Sequence, residues 1–513
     1  MVRLALACAL AVPSAAAWGQ EYEKEFEAFR QAQEQEFDTF RNEVDAEFET
    51  FLREAWQEYK AFAPEPVPSR PEPPVPVTFD REKPLPVPVA IKPGLPKVPD
   101  APMPGLDDKV PVDVPRPDLP PLDSRPAPGV YVPGQPYTPV LTPVPVPPRK
   151  PGERIRRTSV TFYGTDFDVC TTVVEDLRLK GVGENDVADA WRQVCSREYE
   201  QLVKDCMDVR REKRLNDWGY LAFTKQIGEQ LYGPERTDDI AFLQMFLLSK
   251  SGYRVRLAKV DEGLKLLVAT AGTIYGTPYL QISGAKYYVF EPRQGASMSI
   301  YTYRQDFAES KNLVNLSLED IPELDLEPHE RVFRAKESGI EVRTVVNANL
   351  MDFYRDYPQC DLLLHYKAPM SEELREELYR QLREAVSGKA EEEAAGLLLE
   401  FVQTAFDYRT DGEQFGYEKP FFPDETFYYP YCDCEDRAML YATLVHDLLG
   451  LDVVLLDYPN HIASAVRFKG EVRGDHLLLK DGGKYLICDP TYIGAPIGQC
   501  MEQYRTVSPG IIR

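Results

Sequence analysis

The sequence repeats itself at long range, and this constrains the fold more than any local signal. VRLAKVDEGLKLLVATAGTIYGTPYLQISGAKYYVFEP begins at Val255, and VVLLDYPNHIASAVRFKGEVRGDHLLLKDGGKYLICDP begins at Val453. The two align without a gap: Gly276 falls on Gly474, Gly284 on Gly482, Lys286 on Lys484, Tyr287 on Tyr485 and Pro292 on Pro490. Just upstream, TDDIAFLQMFLLSKSGY (237–253) aligns with CEDRAMLYATLVHDLLGL (434–451) after one gap. The pattern predicts two α+β domains of one architecture, each a helix followed by short strands. A hairpin is expected at 158–169, helices over 186–230 with a break or two and over 238–250, and strands over 253–292. The second series has strands near 331–366, helices near 371–408 and 434–449, and strands over 452–490.

What precedes the body cannot form a core of its own. MVRLALACALAVPSAAAWG (1–19) has one positive residue, an apolar run too short to span a bilayer and small residues at its end. It reads as a signal peptide, placing the protein outside the cytoplasm. Residues 20–62 repeat EFEAF, EFDTF and EFETF every eleven residues. Such a period, about 3.67 residues per turn, keeps the aromatics on one face of a long helix. Phe26, Phe37, Phe48 and Tyr59 form one series, and Phe29, Phe40, Phe51 and Phe62 the other. This stripe must be buried against copies of itself, the globular body or a partner. Self-association as a slightly right-handed bundle is the favoured reading. Residues 63–151 hold thirty of the 45 prolines and read as a semi-rigid linker, a stalk holding the helix away from the body.

The formal charge of −24 argues against nucleic acid or anionic lipid as a partner, since both need a basic surface. No further stretch is apolar enough for a membrane span. Eight cysteines remain beyond Cys8: 170, 195, 206, 360, 432, 434, 488 and 500. In an exported protein they are open to oxidation, and eight thiols allow 105 pairings.

The alignment differs where chemistry would sit. Cys434 faces Thr237, His461 faces Gly263 and Asp489 faces Glu291. A Cys, a His and an Asp present in one copy are missing from the other as a set, which suggests that they act as a set. A thiolate is a good nucleophile, and a helix N-terminus and a nearby imidazole help to form it. Cys434 opens the 434–449 helix, His461 would be the base and Asp489 would orient the ring.

C-E-D-R-A (434–438), Gly450, N-H-I-A (460–463) and D-P-T (489–491), in this order, resemble the transglutaminase-like superfamily. The resemblance covers about 390–495, and the first copy only in degenerate form. It implies a papain-like fold with a Cys-His-Asp triad at Cys434, His461 and Asp489. The expected layout is a signal peptide (1–19), a Phe-rich helix (20–62), a proline-rich linker (63–151), a degenerate transglutaminase-like domain (152–325) and a second such domain with the triad (326–513). The whole layout is similar to exported bacterial envelope proteins, so a periplasmic or extracellular location in a Gram-negative-type bacterium is expected. The expected partner is a protein or peptide substrate, with no cofactor and no metal.

Two alternatives stay open on the residues. A simple meander places His476 nearer Asp489 than His461, although PNHIASAV resembles the family's His strand. Cys432 can pair with another thiol or compete as nucleophile. Two rival readings are a zinc site built from Cys432, Cys434, Cys488 and His461, and a non-catalytic envelope scaffold or binding protein with a relic triad. The aromatic run 415–431 either lines an acceptor cleft through Tyr428, Tyr429 or Tyr431, or packs as a loop.

Overall fold

A computed structural model describes residues 39–68, 76–94, 155–290 and 299–513. The signal-peptide reading, the aromatic repeats up to residue 38 and most of the proline-rich linker lie outside the described residues. The N-terminal part supplies helix α1 (39–53) and strands β1 (Gln57–Lys60) and β2 (Ala90–Ile91). The hairpin β3 (Arg157–Phe162) and β4 (Thr165–Cys170) follows. Next come helices α2 (Glu184–Cys195), α3 (Glu200–Glu212), α4 (Asp217–Tyr232) and α5 (Thr237–Lys250). Strands β5 (Val255–Val260), β6 (Gly263–Ala269), β7 (Tyr279–Ile282), β8 (Ala285–Val289) and β9 (Ser299–Thr302) end the first half.

The second half opens on the hairpin β10 (Pro328–Arg334) and β11 (Glu341–Asn347). Helices α6 (Ala348–Arg355), α7 (Leu362–Lys367), α8 (Glu372–Val386) and α9 (Glu391–Ala405) follow. Then come β12 (Asp407–Tyr408), α10 (Asp411–Gln414), α11 (Glu425–Tyr428), β13 (Tyr431–Cys432) and α12 (Cys434–Leu449). Strands β14 (Asp452–Tyr458), β15 (His461–Arg467), β16 (His476–Leu478), β17 (Lys484–Cys488) and β18 (Gly510–Ile512) complete the chain. Where strands were expected up to residue 366, α6 and α7 stand instead. The Asn347 side chain caps the first of them by accepting from the Asn349 amide at 3.1 Å.

The sequence repeat has a topological counterpart. The first large sheet runs β1-β9-β5-β6-β8-β7 and the second β18-β14-β15-β17-β16-β2. Without β1 and β2, the two share one five-strand order, β9-β5-β6-β8-β7 matching β18-β14-β15-β17-β16. In each, the helix that precedes the strands (α5 or α12) packs on one face of its sheet. The first core is not confined to the first half: Leu350, Phe353, Tyr354, Tyr357 and Phe422 join it from beyond residue 325.

The N-terminal part departs from the expectation of a helix held off by a stalk. Helix α1 stops at residue 53, and Tyr59 lies on β1, paired with Ile300 of β9. The eleven-residue pattern continues to Phe62, but tertiary pairing overrides it: the Phe62 amide donates to the Tyr279 carbonyl at 2.8 Å. The buried part of the aromatic stripe meets the body rather than a second copy. Phe48 is 3% exposed, with its ring 4.8 Å from Trp191 and 5.3 Å from Phe307. Beside it, buried Asp45 accepts from the Tyr199 hydroxyl at 3.0 Å and pairs with Lys250.

The described proline-rich residues also lie on the body. Val77–Phe79 pairs with Ile493 through two hydrogen bonds of 2.8 Å, and β2 adds parallel to β16. Both contacts fall in windows free of proline, where the backbone keeps its N–H donors. Because Phe48 sits in an aromatic core, Phe48→Ala is expected to destabilise the first half by about 3–5 kcal/mol. A urea titration of the full chain checks this; a loss under about 1 kcal/mol would place the Phe48 ring outside the core.

Candidate active site

Helix α12 begins at Cys434 because Asp433 and Asp436 cap it reciprocally, with the Asp433 amide donating to Asp436 Oδ2 at 3.4 Å. Gly450, with φ of 63°, closes the other end in the left-handed conformation that favours glycine. The Cys434 thiol therefore lies in the first turn, at the positive end of the helix. It is fully buried, and its sulfur accepts the Ile462 backbone N–H at 3.4 Å. The thiol also donates to Glu435 Oε2 at 3.3 Å.

His461 is placed by a two-residue hairpin. Tyr458 and His461 are paired across β14 and β15, leaving Pro459 and Asn460 as the turn. Proline presets its own φ, and Asn460 takes a φ of 63°, a conformation asparagine tolerates. Asp489 follows β17, which is paired directly to β15. Its Oδ2 is 2.8 Å from His461 Nε2, and its Oδ1 accepts from the Thr491 amide at 2.9 Å. With Nε2 held by a carboxylate, Nδ1 is the nitrogen left to accept a proton. Nδ1 is buried and has no hydrogen-bond partner among the described residues.

The three residues singled out by the sequence are thus brought to one place. His476 is not. It lies on β16, beyond β17 from His461, and its Nδ1 lies 3.0 Å from the Gly474 carbonyl. Cys432 sits beside Tyr408 in a short parallel pair, and burial pushes its thiol up to about 11. No disulfide joins the eight described cysteines, so none of the 105 pairings is formed. Among the described residues, the ligand atoms that converge within 4.8 Å are the carboxylates of Asp411, Glu418 and Glu435, not the cysteines.

Two positioning groups escaped the sequence reading. Buried Gln403 on α9 donates to the carbonyls of Asp489 (3.1 Å), Tyr492 (2.9 Å) and Ala495 (3.1 Å), and accepts from the Gly494 amide at 3.1 Å. It fixes the turn that carries Asp489. Arg437, also buried, donates to the Phe406 carbonyl at 2.8 Å and so ties α12 to the end of α9. Only the contacts distinguish Gln403 from any other helical glutamine. The run 415–431 packs as a loop: Phe421, Phe422 and Phe427 are buried, and the Phe421 amide donates to Asp436 Oδ1 at 2.9 Å. Arg331 holds the carbonyls of Tyr428 and Tyr429, and Tyr431 stacks under Arg409 at 3.9 Å.

A Cys-His contact elsewhere in the core shows what burial does to such a pair. Cys360 Sγ lies 3.5 Å from His365 Nε2. Burial, then the Lys419 charge, pushes His365 down to about 3, and burial pushes the Cys360 thiol up. Both shifts favour the neutral form.

The site is closed. Exposure is 0% at Cys434, 1% at His461 and 3% at Asp489. The ring of Tyr504, from the turn Glu502–Tyr504, stacks on His461 at 5.2 Å and 13°. The next residue, Arg505, pairs with Asp475 at 3.1 Å, and Asp475 also accepts the Val89 amide of the proline-rich segment at 2.8 Å. No family model matches the chain, and no curated protein or solved structure does either.

Behind the thiol lie several buried carboxyls. Burial, then Asp436 and Glu435, pushes Asp411 up to about 9, and burial with Glu435 raises Asp436 as well. The folded chain therefore holds the Asp411 proton more tightly than the unfolded chain between the ordinary value of 3.8 and about 9. Stability falls as pH rises through that window. Asp411→Asn is expected to gain on the wild type by more than about 1 kcal/mol between pH 5 and pH 8. Urea unfolding at the two pH values measures this; a constant difference would show that Asp411 is already ionised at pH 5.

Proposed function

We propose that the second domain is a transglutaminase-like, papain-like thiol enzyme, an acyl transferase or hydrolase acting on protein or peptide amide bonds. The first domain is its degenerate copy, and the chain is an exported bacterial envelope protein. The observation that carries the reading is the 2.8 Å bond from His461 Nε2 to Asp489, next to a helix-start thiol that already accepts the Ile462 N–H. The thiol proton passes to His461 Nδ1, and the sulfur adds to the amide carbonyl. The C–N bond then breaks as the imidazolium returns the proton to the departing amine, leaving a thioester on Cys434. Water or a second amine takes the acyl group. Tyr504 must leave the face of His461 before any substrate enters. No described helix is long and apolar enough to cross a membrane.

A second reading, a non-catalytic scaffold with a relic triad, is favoured by the closed site and by Glu435, whose charge opposes a thiolate. Iodoacetamide labelling at pH 6, mapped by mass spectrometry, separates the two. Cys434 is expected to label ahead of Cys432. His461→Ala should slow it by about 100-fold or more, and His476→Ala should not. Tyr504→Ala should speed it by opening the site. Slow labelling in both wild type and Tyr504→Ala would favour the relic. Acyl activity that survives Cys434→Ala would sink the enzyme reading.

A further inference from the structure

The first domain keeps the sheet but not the trio: Thr237 opens α5 where Cys434 opens α12, and Gly263 opens β6 where His461 opens β15. What it has instead is space. A cavity of about 530 Å³ lies against α4, with Phe162, Tyr163, Trp218, Tyr288 and Phe290 among its walls. Native interiors leave few voids larger than a water molecule, and small-molecule sites have this size and apolar character. A second cavity of about 180 Å³ is lined by Thr237, which faces Cys434 in the alignment, and by Leu264, the neighbour of the Gly263 that faces His461. The two share Lys225, Glu229 and Phe290, so they adjoin, with these side chains as their common wall.

The walls narrow the ligand. Trp218 is 8% exposed, and its indole N–H is buried with no hydrogen-bond partner among the described residues. That group is a donor only, so its partner must bring an acceptor. Among the described residues the large chamber has one cation, Lys225, against Glu229 and Asp356, and Lys225 is paired with Glu229 at 3.1 Å. An anionic acceptor is disfavoured there, and a neutral carbonyl fits.

We infer that the first domain binds an apolar ring that carries a neutral amide carbonyl, as an aromatic residue of an extended peptide does. The ring fills the large chamber, the carbonyl accepts from Trp218, and the chain continues into the small chamber. That the peptide is substrate for the second domain rests on the proposed function; the binding itself does not.

The test is therefore made on the full chain carrying Cys434→Ser, by isothermal titration, and reads binding alone. N-acetyl-L-phenylalaninamide is expected to bind saturably, the free acid N-acetyl-L-phenylalanine at least about tenfold more weakly, and N-acetylglycinamide not detectably. Ala222→Trp, on the cavity wall, should abolish binding of the amide. Trp218→Phe should weaken it about threefold to tenfold, the cost of one hydrogen bond. No saturable binding of the phenylalanine amide, equal binding of the glycine amide, or undiminished binding in Ala222→Trp would each overturn the inference. The comparison of the three probes needs no cavity variant, so it decides even if a substitution fails to fold.

Discussion

An open sheet edge presents unpaired N–H and C=O groups, and a protein must pair or cover them. Both large sheets meet this constraint with one stretch of chain. The N-terminal arm lends β1 to the edge of the first sheet and β2 to the edge of the second. Helix α1 is anchored in the first core through Phe48 and Leu52, and Trp56, just beyond its end, joins them. The arm also covers the outer face of each sheet, where Tyr59 and Ala61 pack on one apolar cluster and Val89 and Ile91 on the other. Everything that follows, including the placement of Asp475 and the turn bearing Tyr504, is built on a sheet that the arm completes.

The candidate site shows how far surroundings decide the chemistry of identical groups. Cys360 and His365 touch, yet His365 Nδ1 has no hydrogen-bond partner among the described residues, and burial favours the neutral form of both. Cys434 and His461 differ by their supports: a helix terminus, a backbone N–H on sulfur, a carboxylate on Nε2 and Gln403 behind that carboxylate. The carboxyl cluster next to the thiol works the other way, since negative charge near sulfur opposes a thiolate. Removal of charge from that cluster by proton uptake, as at Asp411, relaxes this opposition.

Much of this was legible in the sequence where one strong local rule acted. The hairpin at 158–169 was readable because Tyr163-Gly164 supplies the two left-handed turn residues, with φ of 43° and 72°. The repeat gave away the shared strand order, and the loss of three residues from one copy marked Cys434, His461 and Asp489. The choice between His461 and His476 was not legible. It depends on β17 lying between β15 and β16, a matter of topology rather than of composition. Gln403 was invisible for the same reason, since its partners stand on a distant turn. The N-terminal arm misled through its own regularity: an eleven-residue period is a helix rule, but pairing with β9 and Tyr279 outweighs it after residue 53. Proline richness misled in turn, because the segment docks through its few proline-free windows.

The parallel pairing of Ala90 with His476 has a consequence for how the molecule assembles. The arm leaves the ribosome before the strand it must join, with Val89 and its acceptor Asp475 separated by 386 positions in the sequence. Closure over such a distance raises contact order and slows folding. Until the C-terminal strands exist, β2 has no ladder to enter and its apolar residues stay solvated. The second sheet is therefore sealed late, and the order of synthesis sets the order in which the two halves can be completed.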